Sequence, residues 1–154
     1  MNRRGFLGLA AGATLAGSVP AHQPAYRRPG VALVLGGGGC RGYGHIGVIR
    51  VLEKNSFRPD LVVGSSVGSL VGALYAAGLT ADRLERLGSR LTPNLLRDWI
   101  FPKLGIFGGD AIRRFVIATV GERMIASLPM RFAAVATDLR TGAQKVLDRG
   151  DLGR

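Results

Sequence analysis

The sequence predicts an α/β fold on a largely parallel sheet, and three observations carry that expectation. Short apolar runs of β-formers alternate with stretches of helical periodicity, the pattern of strand-helix-strand units. Two of the strand-to-helix junctions are glycine-rich turns, one over residues 36–42 and one over residues 64–68. At 154 residues with 47% hydrophobic side chains, the chain is long enough for one domain with a sizeable core.

Each element follows from its residues. "VALVL", Val31 to Leu35, is an unbroken apolar run that suits a buried parallel strand. After the glycines, "YGHIGVIRVLEKN" spaces Ile46, Ile49, Val51 and Leu52 as a helix does. "DLVVG", Asp60 to Gly64, reads as a second strand, and "SVGSLVGALYAAG", Ser66 to Gly78, as a second helix closed by Gly78. "TADRLERLGSR" predicts a short amphipathic helix capped by Thr80. Residues 91–109 mix apolar side chains with Pro93, Pro102 and glycines, and are expected to form an irregular packed loop. "DAIRRFVIATVG" predicts a helix from Asp110, and "RFAAVATDL" and "AQKVLD" two strands joined by a turn at Thr141-Gly142.

The first 21 residues read as an address rather than a fold. Arg3-Arg4 stand before Phe6-Leu7, an uncharged Gly/Ala-rich run to Val19 and small residues ending at Ala21, which resembles a bacterial twin-arginine export signal. The expected organisation is an export signal over 1–21, a polar linker over 22–30 and a catalytic-type domain over 31–154, exported to the periplasm or medium, or else held at the inner membrane. The formal charge is +11, and only three of 21 basic residues are lysines. The arginines are scattered, with no basic block and no interleaved aromatics, so they read as solvated faces with an attraction for anionic membrane surfaces and not as a nucleic-acid site. Cys40 is the only cysteine, which leaves no intramolecular disulfide or cysteine-cluster metal site, and it reads as a small filler of the turn.

The two turns decide the chemistry together. Gly37, Gly39 and Gly42 satisfy the GxGxxG spacing of a dinucleotide-binding turn. Such a site also needs an acid at the end of the second strand to hold a ribose hydroxyl, and there stands Gly64-Ser65-Ser66-Val67-Gly68, with Asp60 at the strand's beginning. GxSxG at a strand-to-helix turn leaves room for a sharp elbow that projects the Ser66 hydroxyl; the competing reading is a helix start capped by Ser65 or Ser66. Joined to the upstream turn, the elbow points to acyl-ester chemistry: amides of Gly37, Gly38 and Gly39 facing the oxyanion formed when Ser66 attacks. A base is harder to find. His45 lies in the helix after the first turn and before Ser66, the wrong order for a Ser-acid-His triad, and reads as a hydrogen-bonded helix residue.

Gly37-Gly38-Gly39-Cys40-Arg41-Gly42 resembles the oxyanion motif of patatin-like phospholipases, and Gly64-Ser65-Ser66-Val67-Gly68 their nucleophile elbow; "GHIGVIRVLE", "GSLVGALYAAG" and "VATDLRTG" are similar to bacterial members. The resemblance implies a three-layer α/β sandwich and a Ser-Asp dyad that cleaves lipid acyl esters without a metal or organic cofactor. It assigns Ser66 as nucleophile and places Gly37, Gly38, Gly39 and Arg41 in the oxyanion region, with Arg41 orienting the loop. It also implies an acyl cleft near the irregular segment after Leu91. The family's Asp-Gly-Gly or Asp-Gly-Ala motif does not occur after Ser66. Asp110 starts a helix, Asp138 reads as structural, and Asp148 and Asp151 lie in the closing "LDRGDLGR". The expectation is a truncated domain, a poor hydrolase by itself, with a non-catalytic lipid-binding remnant as the alternative and a dinucleotide module third.

Overall fold

A computed structural model describes residues 30–89 and 109–153. The expected signal (1–21), nearly all of the linker (22–30) and the irregular loop after Leu91 lie outside the described residues. The strands are β1 (Ala32–Leu35), β2 (Leu61–Ser65), β3 (Arg131–Thr137) and β4 (Gln144–Leu147), and the helices are α1 (Tyr43–Lys54), α2 (Val67–Ala76), α3 (Ala81–Gly88) and α4 (Gly109–Val120). They form one sheet in the order β1-β2-β3-β4. β1, β2 and β3 are parallel, so their carboxyl ends share one edge, and β4 returns antiparallel through a hairpin.

Helix α2 lies on the sheet, and Gly72 is what lets it do so. A Cβ there would come within 2.9 Å of the Val62 side chain and 3.3 Å of Phe132. The core is this contact layer: Leu35, Val62 and Phe132 from the strands against Val71, Leu74 and Tyr75 from α2. Burial raises the Tyr75 phenol above its ordinary pKa, and the nearby Glu53 carboxylate adds to the effect. Helix α1 buries Ile46 and Ile49, but Val51 is exposed, because Ile46 and Ile49 alone face the core and Val51 falls on the water side of the turn. Arg50 of α1 reaches Glu85 (2.7 Å) and Asp82 (3.1 Å) of α3, and Tyr43 donates to the Gly88 carbonyl, so α1 and α3 are tied at both ends. Thr80 caps α3 as expected, its Oγ1 accepting from the Arg83 amide at 3.4 Å.

Parallel sheets are ordinarily covered on both faces. Among the described residues only one face carries helices, giving two of the three layers that the resemblance implies. On the other face Val34 is 70% exposed and Val146 54%. No helix of the described residues is long and apolar enough to cross a membrane.

Candidate active site

Both glycine turns sit on the carboxyl edge of the sheet, one after β1 and one after β2, and the register puts them side by side: Leu35 pairs with Gly64. Gly68 makes the approach close. A Cβ on it would run into the Leu35 carbonyl and lie 2.7 Å from the Gly36 oxygen. Gly64 is equally constrained, since a Cβ there would meet the Gly68 oxygen and Ser69 Cα at 2.5 Å. The glycines two before and two after Ser66 are therefore required by packing, one against the following helix and one against the first turn.

Between them Ser66 adopts φ 51°, ψ −123°, a left-handed conformation that a residue with a side chain adopts only under constraint. Its carbonyl accepts from the Ser69 and Leu70 amides and so begins α2, but its side chain makes no capping bond. Ser66 is exposed. The capping alternative is thus not what the structure builds: the hydroxyl is presented at a helix amino terminus, where the dipole and free amides favour negative charge.

The first turn closes over it. The position of a Gly37 Cβ would be 3.6 Å from Ser66 Cβ. Gly38 (φ 150°) and Gly39 (φ 55°) take conformations that disfavour side chains, and the Gly38 carbonyl accepts from the Arg41 amide at 3.1 Å. That folds residues 39–42 into one 3-10 turn leading into α1. Arg41 is exposed on this turn, as is Cys40. His45 is joined to the turn and not to the serine: its Nε2 donates to the Gly36 carbonyl at 2.8 Å. The reading of His45 as a hydrogen-bonded helix residue agrees with this geometry.

The carboxylates are engaged elsewhere. Asp138 Oδ1 accepts from the Arg140 and Thr141 amides at 3.0 and 3.1 Å, holding its own turn. Asp151 bridges to Met124 and its Oδ1 accepts from the Gly153 amide, at the far end of the groove that Ser66 also lines. Asp148 pairs with Arg149 at 3.0 Å, which holds its carboxyl below the usual range. Asp60 stands before β2 and accepts from the Val31 amide at 2.7 Å, so no acid occupies the end of β2 that a dinucleotide site would need. Among the described residues no hydrogen bond joins Ser66 to a carboxylate or to His45.

Sequence reasoning missed the groove that opens at Ser66. It has a volume of about 730 Å³ and runs between α2 and α4 over the sheet, with Leu70, Ala73, Ile112, Val116, Phe132 and Leu147 among its walls. It reaches Ile125 and Gly150 at the far edge, roughly 13 Å along β3 from the level of Ser65. Nothing in the sequence order brings α4 beside α2, so no local signal could have shown it.

A serine on a strained strand-to-helix elbow, set beside a glycine turn at the carboxyl edge of a largely parallel sheet, defines an α/β protein with an exposed serine at that edge. Residues 33–152 match the family described as patatin-like phospholipase, and the chain belongs to that family. It is 38% identical over 132 residues to patatin-like phospholipase domain-containing protein 6 of Homo sapiens, covering 80% of this chain and 10% of that protein. It is 39% identical over 127 residues to an uncharacterized NTE family protein of Mycobacterium bovis, covering 80% and 35%. Against lysophospholipase NTE1 of Pyricularia oryzae the identity is 33% over 126 residues, covering 78% and 8%. The chain therefore spans between about a tenth and a third of these relatives. Among solved structures, the type III effector ExoU aligns with a TM-score of 0.46 at 15% identity, covering 78% of this chain and 35% of that one.

Proposed function

We propose that this chain carries the nucleophile of a serine lipid acyl hydrolase. The observation that carries the reading is the Ser66 elbow: a left-handed serine whose side chain caps nothing, set against Gly37. In this reading Ser66 Oγ attacks the ester carbonyl, and amides of Gly37, Gly38 and Gly39 receive the oxyanion, each such donor being worth roughly two to three orders of magnitude in rate. Arg41 orients that turn. The alcohol leaves, and water then releases the acyl group from Ser66. The groove beside α2 takes the acyl chain; its size falls within the roughly 300–1,000 Å³ of ordinary ligand sites. The family match and the lysophospholipase name of one relative support a lipid ester as substrate.

The proton acceptor, an aspartate in the family resembled, we assign to none of Asp138, Asp148 and Asp151, since each is held by its own turn or partner. The arginine pair at residues 3 and 4 supports export as the destination.

The test is hydrolysis of a long-chain ester by the purified chain beside its Ser66→Ala variant. A general base is worth about 10²–10⁴ in rate, so Ser66-dependent turnover is expected at least a hundredfold below the ~10 s⁻¹ of a typical enzyme. Turnover that survives Ser66→Ala would remove Ser66 from the role. Fast turnover abolished by Ser66→Ala would instead refute the exclusion of the described carboxylates.

A further inference from the structure

The β3–β4 hairpin stands above the edge on which Ser66 lies. Ser65, the last residue of β2, pairs with Val135, but β3 continues, and Ala136 and Thr137 pair only with Lys145 and Gln144 of β4. Two further residues at about 3.3 Å each lift the hairpin roughly 7 Å past β2 before the turn begins. Because β1, β2 and β3 are parallel, the turn projects from the same side as the Gly37–Gly39 turn and the serine.

The composition of the tip is unusual for a turn. Leu139 is 90% exposed, the highest value among the exposed large hydrophobic side chains of the described residues. Arg140 follows it and is exposed, Lys145 is exposed at the hairpin's base, and Arg41 is exposed on the turn after β1, two strands away at the same edge. The tip is also held in shape. Asp138 spends its carboxylate on the Arg140 and Thr141 amides, its carbonyl accepts from Gly142 at 2.8 Å, its amide donates to Ala143 at 2.9 Å, and Thr141 Oγ1 accepts from the Ala143 amide. A turn braced by five hydrogen bonds presents one bare leucine beside Arg140, with the Asp138 carboxylate turned to the backbone amides. Water alone gives no reason for that arrangement, whereas an apolar tip with cations on the same edge matches the boundary between the acyl chains and phosphates of an anionic bilayer.

We propose that the β3–β4 hairpin is a membrane-docking wedge: Leu139 enters the interface of an anionic phospholipid bilayer, while Arg140, Lys145 and Arg41 face lipid phosphates. Docked so, the edge carrying Ser66 faces the membrane. This inference takes its biological sense from the lipid hydrolase reading, but its physical content is independent of turnover.

The experiment is flotation of the full chain with vesicles of phosphatidylcholine plus phosphatidylglycerol and with vesicles of phosphatidylcholine alone, all in a Ser66→Ala background so that hydrolysis plays no part. Leu139→Ser/Arg140→Gln is expected to lower partitioning to the anionic vesicles roughly tenfold or more, since both the buried leucine and a charge are lost. A matched control lies on the opposite edge, where Phe57 is 42% exposed beside exposed Arg58 ahead of β2. Phe57→Ser/Arg58→Gln is expected to bind as the parent does. A fluorophore on Leu139→Cys, in a Cys40→Ser background, is expected to blue-shift with anionic vesicles. Undiminished binding of the hairpin variant, loss of binding in the control, or a fluorophore that stays in water would each overturn the wedge. Esterase turnover that survives Ser66→Ala would refute the hydrolase reading and leave this result standing.

Discussion

Replacing Gly64 by alanine tests whether the elbow is built by close backbone approach. Its backbone conformation admits a side chain, so the cost comes from packing: the new Cβ would meet the Gly68 oxygen and Ser69 Cα at 2.5 Å and the Gly68 carbonyl carbon at 2.6 Å. All three are backbone atoms, which no side-chain rotation can move. Ordinary contact begins at 3.4 Å, so the start of α2 must withdraw by about 0.9 Å. Overpacking of that order costs about 1–3 kcal/mol. With a urea m-value of about 1–3 kcal/mol/M, the unfolding midpoint is expected to fall by roughly 1 M. The same shift carries Ser66 away from Gly37, and misplacement near 1 Å costs about a hundredfold in rate. The control is Gly47→Ala in α1, where a Cβ meets nothing within 4 Å and alanine is expected to stabilise the helix by about 0.5–1 kcal/mol. A Gly64→Ala protein that unfolds at the parent's urea concentration would show the reasoning to be wrong.

Three further outcomes are expected. Ser66→Gly relieves the left-handed strain and should stabilise the fold by about 1 kcal/mol in urea titration, whereas Ser66→Ala should not; equal midpoints for the two would remove the strain argument. His45→Ala loses the bond to the Gly36 carbonyl, and a stability loss of about 1 kcal/mol with slower covalent modification of Ser66 is expected; modification at the parent's rate would show that the turn holds itself. Thr80→Ala removes the α3 cap, but the capping bond is long at 3.4 Å, so the loss by thermal unfolding should sit near 0.5 kcal/mol, the low end for caps.

Much of the scaffold was legible because its signals are local. Val31 to Leu35 and Asp60 to Gly64 announced parallel strands by apolar continuity, though β1 buries only Leu35 where a buried strand is expected; Thr80 announced a cap, and Thr141-Gly142 marked the hairpin turn. The elbow was legible as spacing, since only glycine fits two before and two after the serine, and the structure supplies the reason in the approach of Gly68 to Leu35. What was not legible depends on contacts distant in sequence. The exposure of Val51 follows from where α1 leans, the groove from α4 lying beside α2, and the projection of Leu139 from β3 outrunning β2. Asp138 was a middle case: its residue type allowed a base or a turn, and two amide bonds give the turn.

The most direct test of the central claim, that Ser66 is a presented nucleophile, is prolonged incubation of the chain with a long-chain fluorophosphonate, followed by fragmentation mass spectrometry. A single adduct on Ser66, absent from Ser66→Ala and slowed in Gly64→Ala, is the expected result. No adduct, or an adduct on another serine, would contradict the account.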